Sequence, residues 1–233
     1  MDTSLGRIRL SEQIEESILS AIRSGEYPPG SKLPSERTLM EMFDVGRPSV
    51  KEALLMLERK GFVRLKRGVA PVVVAPTPEG AMDVIGDMVS AMLANSTRRS
   101  EFYDVRIMLE TAAAMEAARQ PDAASIAALE DALAACRAAA GKAEPFRDAD
   151  QAFHNALMQV LGNSVANAIH GALIEWGLFH PEIGPKLRQI HARVIDQHDR
   201  IVAAIRAGDP LAAAEALRTH LLTRRDATAG DPM

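Results

Sequence analysis

The sequence predicts a mainly α-helical protein in two parts: a small part of three helices and a β-hairpin, then a larger part of helices alone. Of the 233 residues, 47% are hydrophobic and 25% are charged, which is typical of a globular protein with a packed core. Aromatic residues make up only 4%, and alanine is abundant, which favours aliphatic packing between helices. The stretch APTPEG predicts a boundary, with residues 1–75 as the first domain, 76–80 as a linker and 81–228 as the second domain.

Two helices are predicted at the start of the first domain. Residues 10–24 carry isoleucine and leucine at helical spacing, with Ser11 as the predicted N-cap and Gly25 after the end of the helix. A turn rich in proline and glycine follows, and Pro34 with Ser35 opens the second helix.

The third helix follows a three-residue turn at 44–46. It begins near Arg47, and Pro48 occupies an early helical position, where proline is well tolerated. Gly61 ends it. Its predicted buried stripe consists of Val50, Ala53, Leu54 and Leu57.

A β-hairpin is predicted next, with strands at 62–65 and 71–74 around a turn at Arg67 and Gly68. Three helices, a tight turn between the second and third, and a hairpin make up a winged helix-turn-helix. The second part is predicted to be an all-α helical bundle.

Positive charge is concentrated in the first domain. Residues 31–75 contain 9 Lys and Arg against 5 Asp and Glu, although the whole chain has a net charge of −4. A solvated charged face is the alternative, but these charges gather where an inserted helix and a hairpin tip would meet double-stranded DNA. The predicted DNA-binding residues are Arg37, Arg47, Ser49, Lys51, Lys66 and Arg67.

The second domain shows no convincing strand. Its single cysteine, Cys136, is predicted to be a small buried hydrophobic residue on a helix, not a catalytic thiol. The absence of a signal peptide and of a long apolar run predicts a cytoplasmic protein with no membrane partner. Helices are predicted near 79–94, 100–119, 122–140, 145–161, 164–180, 186–207 and 210–225.

A metal centre is predicted within this domain. Asp150 and His154 are four apart, so their side chains share one helix face. His198 and His220 lie ten residues before and eleven after the turn at 208–209, so an antiparallel helix pair brings both to one level. Three imidazoles and one carboxylate suit a divalent metal, with zinc first and nickel or manganese as alternatives. Chance pairing of core histidines is the competing interpretation; His170 and His191 fit the spacing less well.

The first domain resembles the DNA-binding domain of the GntR family of bacterial transcription regulators, and the remainder is similar to the ligand domain of its FadR-type branch. For the first domain, the stretches that carry this resemblance are LPSER at 33–37, VGRPSVKEAL at 45–54 and the hairpin at 61–74. For the second, they are FYDVRIMLE at 102–110, DQAFH at 150–154, QHDRIVAAIRAGD at 197–209 and His220.

The resemblance implies roles for individual residues. It implies DNA contacts from Arg37, Arg47 and Lys51 with the hairpin tip in the minor groove, and metal binding through the four positions above. It also implies that Arg106 faces a ligand cavity, where the alternative is a simple helix salt bridge with Glu110. In two places the sequence departs from the family pattern: glycine occupies position 46 instead of the usual serine, and alanine occupies position 70 instead of a second glycine.

Together these features predict a ligand-responsive, DNA-binding transcriptional repressor of a catabolic operon, not an enzyme. It would be a homodimer that senses a small carboxylate. FDVGRPSVKEAL at 43–54 and GNSVANAIHGALIEW at 162–176 look most like repressors of sialic-acid utilisation, which suggests N-acetylneuraminate as the effector. Two alternatives are a metal-dependent hydrolase and a metal-sensing regulator without an organic inducer. The hydrolase would need a general base, and no further Asp or Glu is spaced to supply one.

Overall fold

The computed structural model describes residues 9–178 and 186–229. Internal contacts divide the chain into two compact units, one up to Val84 and one from Ile85 onward. The division falls inside a helix, Pro78–Leu93, that begins within the predicted linker. Each unit is therefore described by itself.

The first unit contains three helices, as predicted: α1 Leu10–Arg23, α2 Glu36–Phe43 and α3 Arg47–Arg59. The predicted N-cap of α1 is wrong. Arg9 holds that position and its backbone N–H donates to the Glu12 carboxylate at 3.3 Å, while Ser11 is buried in the first turn. Glu12, three positions after the cap, satisfies the Arg9 backbone donor, and this hydrogen bond favours a helix start at Arg9.

The turn between α2 and α3 has the predicted form. Ser35 caps α2 by accepting a hydrogen bond from the Thr38 backbone N–H at 3.2 Å. Asp44 ends α2 in a left-handed conformation (φ 51°), and Gly46 precedes α3 without a side chain to cap it. The predicted buried stripe of α3 is confirmed, since its four residues are at most 1% exposed.

The hairpin consists of β1 Val63–Lys66 and β2 Val69–Val73, paired antiparallel. Strand β2 begins earlier than predicted because Lys66 pairs with Val69, which leaves only Arg67 and Gly68 in the turn. Gly68 adopts a φ of 75°, which glycine tolerates at no steric cost. Ala70 lies within β2, so the turn closes with one glycine.

The regular elements described in the second unit are all helices, as predicted. Helix α4, Pro78–Leu93, crosses into it from the first unit, and it is followed by α5 Ser96–Arg119, α6 Ala123–Ala139, α7 Ala143–Gln159, α8 Ser164–Leu173, α9 Leu187–Arg206 and α10 Pro210–Ala229. A π-helical turn, Ile174–Leu178, continues α8, and the predicted helix end at 180 lies outside the described residues.

One helix start differs from its prediction for an identifiable reason. Helix α5 begins at Ser96, not at 100, because the Asn95 side chain accepts hydrogen bonds from the backbone N–H groups of Thr97 and Arg98. Asparagine is a strong N-cap, so the NST stretch opens the helix rather than separating two elements.

Helix α5 is the centre of the bundle. It packs along α10 and also contacts α7, α8 and α9, while α6 packs on α7 and α9. Small residues allow this close approach, since Ala113, Ala114, Ala117 and Ala118 of α5 are at most 3% exposed. Among the described residues, no helix is both long enough and apolar enough to cross a membrane.

Candidate DNA interface and metal centre

A groove of about 520 Å³ lies between the start of α2, helix α3 and the hairpin. It brings together five of the six predicted DNA-binding residues. Ser49 is half-buried on α3 and does not line the groove. The five residues that line it are Arg37, Arg47, Lys51, Lys66 and Arg67.

Acidic residues of α2 hold the two arginines. Arg47 Nε donates to a Glu36 carboxylate oxygen at 3.0 Å, and Arg37 lies 3.5 Å from Glu41. Both arginine side chains stay open to solvent, at 74% for Arg47 and 84% for Arg37, so these pairs do not bury the guanidinium groups. The surface can therefore present exposed cations to a polyanion.

The structure also brings the four predicted metal ligands together. Asp150 and His154 come from α7, His198 from α9 and His220 from α10. One candidate ligand atom of each lies within 4.8 Å of the others, and all four side chains are at most 1% exposed. The predicted antiparallel placement is confirmed, since the rings of His198 and His220 lie 4.7 Å apart.

Several oxygen and nitrogen atoms of this cluster accept no hydrogen bond. Both carboxylate oxygens of Asp150 and both ring nitrogens of His198 are buried without a hydrogen-bond partner. Nε2 of His154 and Nε2 of His220 face each other at 3.3 Å, while each Nδ1 contacts an oxygen, Glu110 Oε2 and Gln197 Oε1 respectively. When both rings are neutral and carry their proton on Nδ1, both Nε2 atoms are acceptors, and a cation between them would satisfy both lone pairs. The donor set fits a divalent metal ion.

Burial keeps the donors of this cluster in the form that binds a metal. Burial lowers the pKa of His198 to about 3, and neighbouring Asp150 opposes that shift only in part. Burial, reinforced by His198 and His154, holds the pKa of His220 well below its usual value. Burial acts to raise the pKa of Asp150, but the groups around it, the cationic Arg224 and Arg106 among them, outweigh burial and the pKa is lowered. At neutral pH, His198 and His220 are therefore neutral and Asp150 is ionised, as metal ligation requires.

Behind the cluster lies Glu110, which sequence analysis considered only as a salt-bridge partner. Its carboxylate is fully buried and contacts Nε of Arg106 at 2.6 Å, Nε2 of His170 at 2.9 Å and Nδ1 of His154. Burial would raise the pKa of Glu110, but Arg106 and His154 outweigh it and lower the pKa well below its ordinary value. Glu110 is therefore an ionised hydrogen-bond acceptor.

Arg106 lies beside the metal cluster but deep in the core. Its side chain is 2% exposed, and besides Glu110 it contacts the Tyr103 hydroxyl at 3.3 Å. Arg224, which sequence analysis missed, approaches from α10: its Nη2 is 3.7 Å from Asp150 Oδ2 and its side chain is 15% exposed. It lies four residues after His220, so helical spacing could have identified it.

The remaining candidates have structural roles. His191 is buried outside the metal cluster: its ring stacks on Phe146 and its Nδ1 accepts a hydrogen bond from the Gly141 N–H at 3.0 Å. Burial raises the pKa of the Cys136 thiol to about 12, which fits a core residue. Trp176 packs against the hydrophobic core.

Comparison with known proteins assigns both parts of the chain. Residues 10–73 match the family "Bacterial regulatory proteins, gntR family", and residues 101–223 match the FCD domain. The chain is similar to the "HTH-type transcriptional repressor NanR" of Citrobacter rodentium, with 37% identity over 93% of this chain and 84% of the relative. The repressor of the same name from Cronobacter sakazakii is 36% identical over the same shares.

A solved structure supports the fold. The chain is similar to Streptococcus agalactiae GntR, with a TM-score of 0.57 and 23% identity, over 93% of this chain and 99% of that one.

Proposed function

The chain belongs to the gntR family of bacterial regulatory proteins, with an FCD domain as its second part, and we propose that it represses a catabolic operon until a small carboxylate binds. Family membership confirms the prediction of a DNA-binding transcription regulator and excludes the hydrolase reading. Repression as the direction of control is supported by the names of the relatives.

The DNA interface of this proposal is the basic groove between the start of α2, helix α3 and the hairpin. Arg47 and Lys51 on α3 and Arg37 on α2 would contact the major groove, where base edges can be distinguished. Lys66 and Arg67 at the hairpin tip would contact phosphates or the minor groove. Ser49, half-buried on α3, would contribute a hydroxyl at the edge of this surface.

For the second domain we propose a divalent metal held by Asp150, His154, His198 and His220, with zinc as the first candidate and nickel or manganese as alternatives. The buried oxygens of Asp150 and ring nitrogens of His198, which make no hydrogen bond, support it. When bound, the ion supplies a Lewis-acidic position for a carboxylate.

The charges around this cluster favour an anionic effector. Arg106 and Arg224 offset Asp150 and Glu110, so a divalent ion leaves this buried region positively charged. Burying such a charge is costly unless an anion neutralises it. A small carboxylate would neutralise part of this charge, with Arg106 as the proposed guanidinium partner. N-acetylneuraminate is the first candidate because of the sequence resemblance to sialic-acid repressors.

The effector would act by favouring a different relative placement of the two DNA-binding domains of a homodimer. The test is calorimetric titration of N-acetylneuraminate into metal-loaded wild type, His198→Ala and Arg106→Met, with an operator shift assay on each. We expect wild type to bind and to release DNA, and both variants to bind weakly.

Each outcome separates one part of the proposal. Equal effector binding by wild type and His198→Ala would contradict a metal-bound carboxylate. If wild type did not respond to N-acetylneuraminate but did respond to a hexuronate or lactate, the effector would be that other carboxylate and the proposed regulatory function would stand. Release of DNA by metal alone would favour a metal sensor without an organic inducer.

A further inference from the structure

Two histidines of the metal cluster each direct their second ring nitrogen to one defined oxygen. His220 Nδ1 lies 2.9 Å from Gln197 Oε1, across the α9–α10 pair. His154 Nδ1 contacts Glu110 Oε2, across the α5–α7 contact. In both rings this leaves Nε2 pointing into the cluster.

The oxygen on each side is placed to accept a hydrogen bond. The Glu110 carboxylate is fixed from the other side by Arg106 and His170. The carbonyl oxygen of the Gln197 amide has no proton to give. In the neutral form of each imidazole, the hydrogen therefore sits on Nδ1 and the lone pair sits on Nε2.

We propose that Glu110 and Gln197 are positioning residues that fix the tautomers of His154 and His220 and so set the metal affinity of the site. This inference rests on the proposed metal centre. A hydrogen bond from the distal nitrogen of a ligating histidine orients the ring and increases its donor strength, and losing such a partner typically costs about 10–100-fold in metal affinity.

The two partners differ in charge, and that difference makes the proposal testable. Glu110 is buried and bonded to Arg106, so changing it would remove a carboxylate that Arg106 contacts in the core. Gln197 is half-buried and neutral. Gln197→Leu removes the acceptor while keeping the volume close, and Gln197→Glu keeps an acceptor in place and adds a negative charge.

The experiment measures Co²⁺ and Zn²⁺ affinity of the full chain at neutral pH by competition with a chromophoric chelator, together with the visible spectrum of the Co²⁺ form. We expect Gln197→Leu to bind about 10–100-fold more weakly with an altered Co²⁺ spectrum. We expect Gln197→Glu to bind more tightly than wild type, because a carboxylate partner makes the imidazole a stronger donor. Circular dichroism verifies the fold of each variant.

Matched controls come from the same helix. Gln189 is exposed and lies eight residues before Gln197, about 12 Å along α9. Gln189→Leu and Gln189→Glu should both match wild type, which separates the hydrogen bond from the general effect of an added charge.

Wild-type affinity and an unchanged Co²⁺ spectrum for both Gln197 variants would overturn this inference and leave the metal centre standing. A wild-type chain that binds neither Co²⁺ nor Zn²⁺ would overturn the metal centre and this inference with it.

Discussion

At the scale of single residues, Arg47 is the side chain best placed to read a base. It occupies the first turn of α3, is exposed, and has its guanidinium steadied by Glu36 at 3.0 Å. We expect Arg47→Ala to weaken operator binding by about 1–3 kcal/mol while non-specific binding falls less. Operator and scrambled duplexes compared in a shift assay measure the difference, and an equal loss on both would remove base reading from Arg47.

Lys66 should behave differently, because it sits at the end of β1 beside the hairpin turn, where phosphate contacts predominate. Lys66→Ala should weaken binding to all sequences and reduce the slope of log affinity against log salt by about one. Glu79→Ala, a change at an exposed acidic residue at the start of α4, is the control. A salt slope equal to that of wild type would exclude a phosphate contact by Lys66.

Sequence alone could predict those residues whose partners lie at regular spacing. Asp150 and His154 share a helix face, and His198 and His220 mirror each other across the 208–209 turn. It could not predict that Glu110 contacts His154 and His170, because these residues are 44 and 60 positions apart on helices with no hairpin relation. That contact depends on how α5 sits in the bundle.

Gln197 shows a second limit. It neighbours His198 in sequence, but consecutive helical residues point about 100° apart, so adjacency gave no indication that its side chain meets His220 on α10.

At the scale of elements, the start of α3 lacks the usual side-chain cap. Gly46 has φ −73° and ψ 157°, a conformation open to any L-residue, and a Cβ there would meet Pro48 Cδ at 3.6 Å, an ordinary contact. Gly46→Ser should therefore stabilise the first domain by roughly 0.5–1 kcal/mol, partly through the new cap and partly through lower entropy of the unfolded chain.

Gly46→Ala separates these two contributions, since it restricts the unfolded chain but cannot cap. Urea unfolding of the three proteins measures both effects. If Gly46→Ser were no more stable than Gly46→Ala, the serine cap would contribute nothing to the stability of the first domain.

Element ends were predicted less well than element identities, for a local reason. Arg9 caps α1 because Glu12 returns a hydrogen bond, and Asn95 caps α5 although its stretch reads as a break. In both cases one side-chain hydrogen bond shifts the start of the helix. The spacing of apolar residues does not predict such a bond.

At the scale of the whole molecule, a bound metal should stabilise the second domain by mass action. At a free metal concentration about 100 times the dissociation constant the gain is about 2.7 kcal/mol, or roughly 5–10 °C in Tm for a domain of this size. We expect a chelator to lower Tm by that amount in wild type and to leave His198→Ala unchanged. Thermal scans with chelator and with added Zn²⁺, Ni²⁺ or Mn²⁺ measure it, and identical wild-type curves throughout would contradict the metal centre.

The proposed homodimer would need an interface, and the second domain offers two candidate faces. Helix α4 exposes a stripe of larger apolar side chains, Ile85, Met88 and Met92, at 40%, 70% and 39% exposure. Helix α6 exposes alanines, including Ala134 and Ala138. Methionine and isoleucine bury more apolar area per residue than alanine, so the α4 stripe is the stronger candidate.

A lysine introduced on each face in turn tests which of the two faces forms the interface. Met88→Lys should convert the dimer to a monomer at micromolar concentration and weaken binding to a palindromic operator, because two half-sites would no longer be held by one assembly. Ala134→Lys should leave both properties unchanged. Light scattering and operator binding measure the outcome. If the Ala134→Lys variant were a monomer and the Met88→Lys variant a dimer, the interface would lie on α6 and not on α4. If the wild-type protein were a monomer both on and off DNA, the proposed dimer would be refuted.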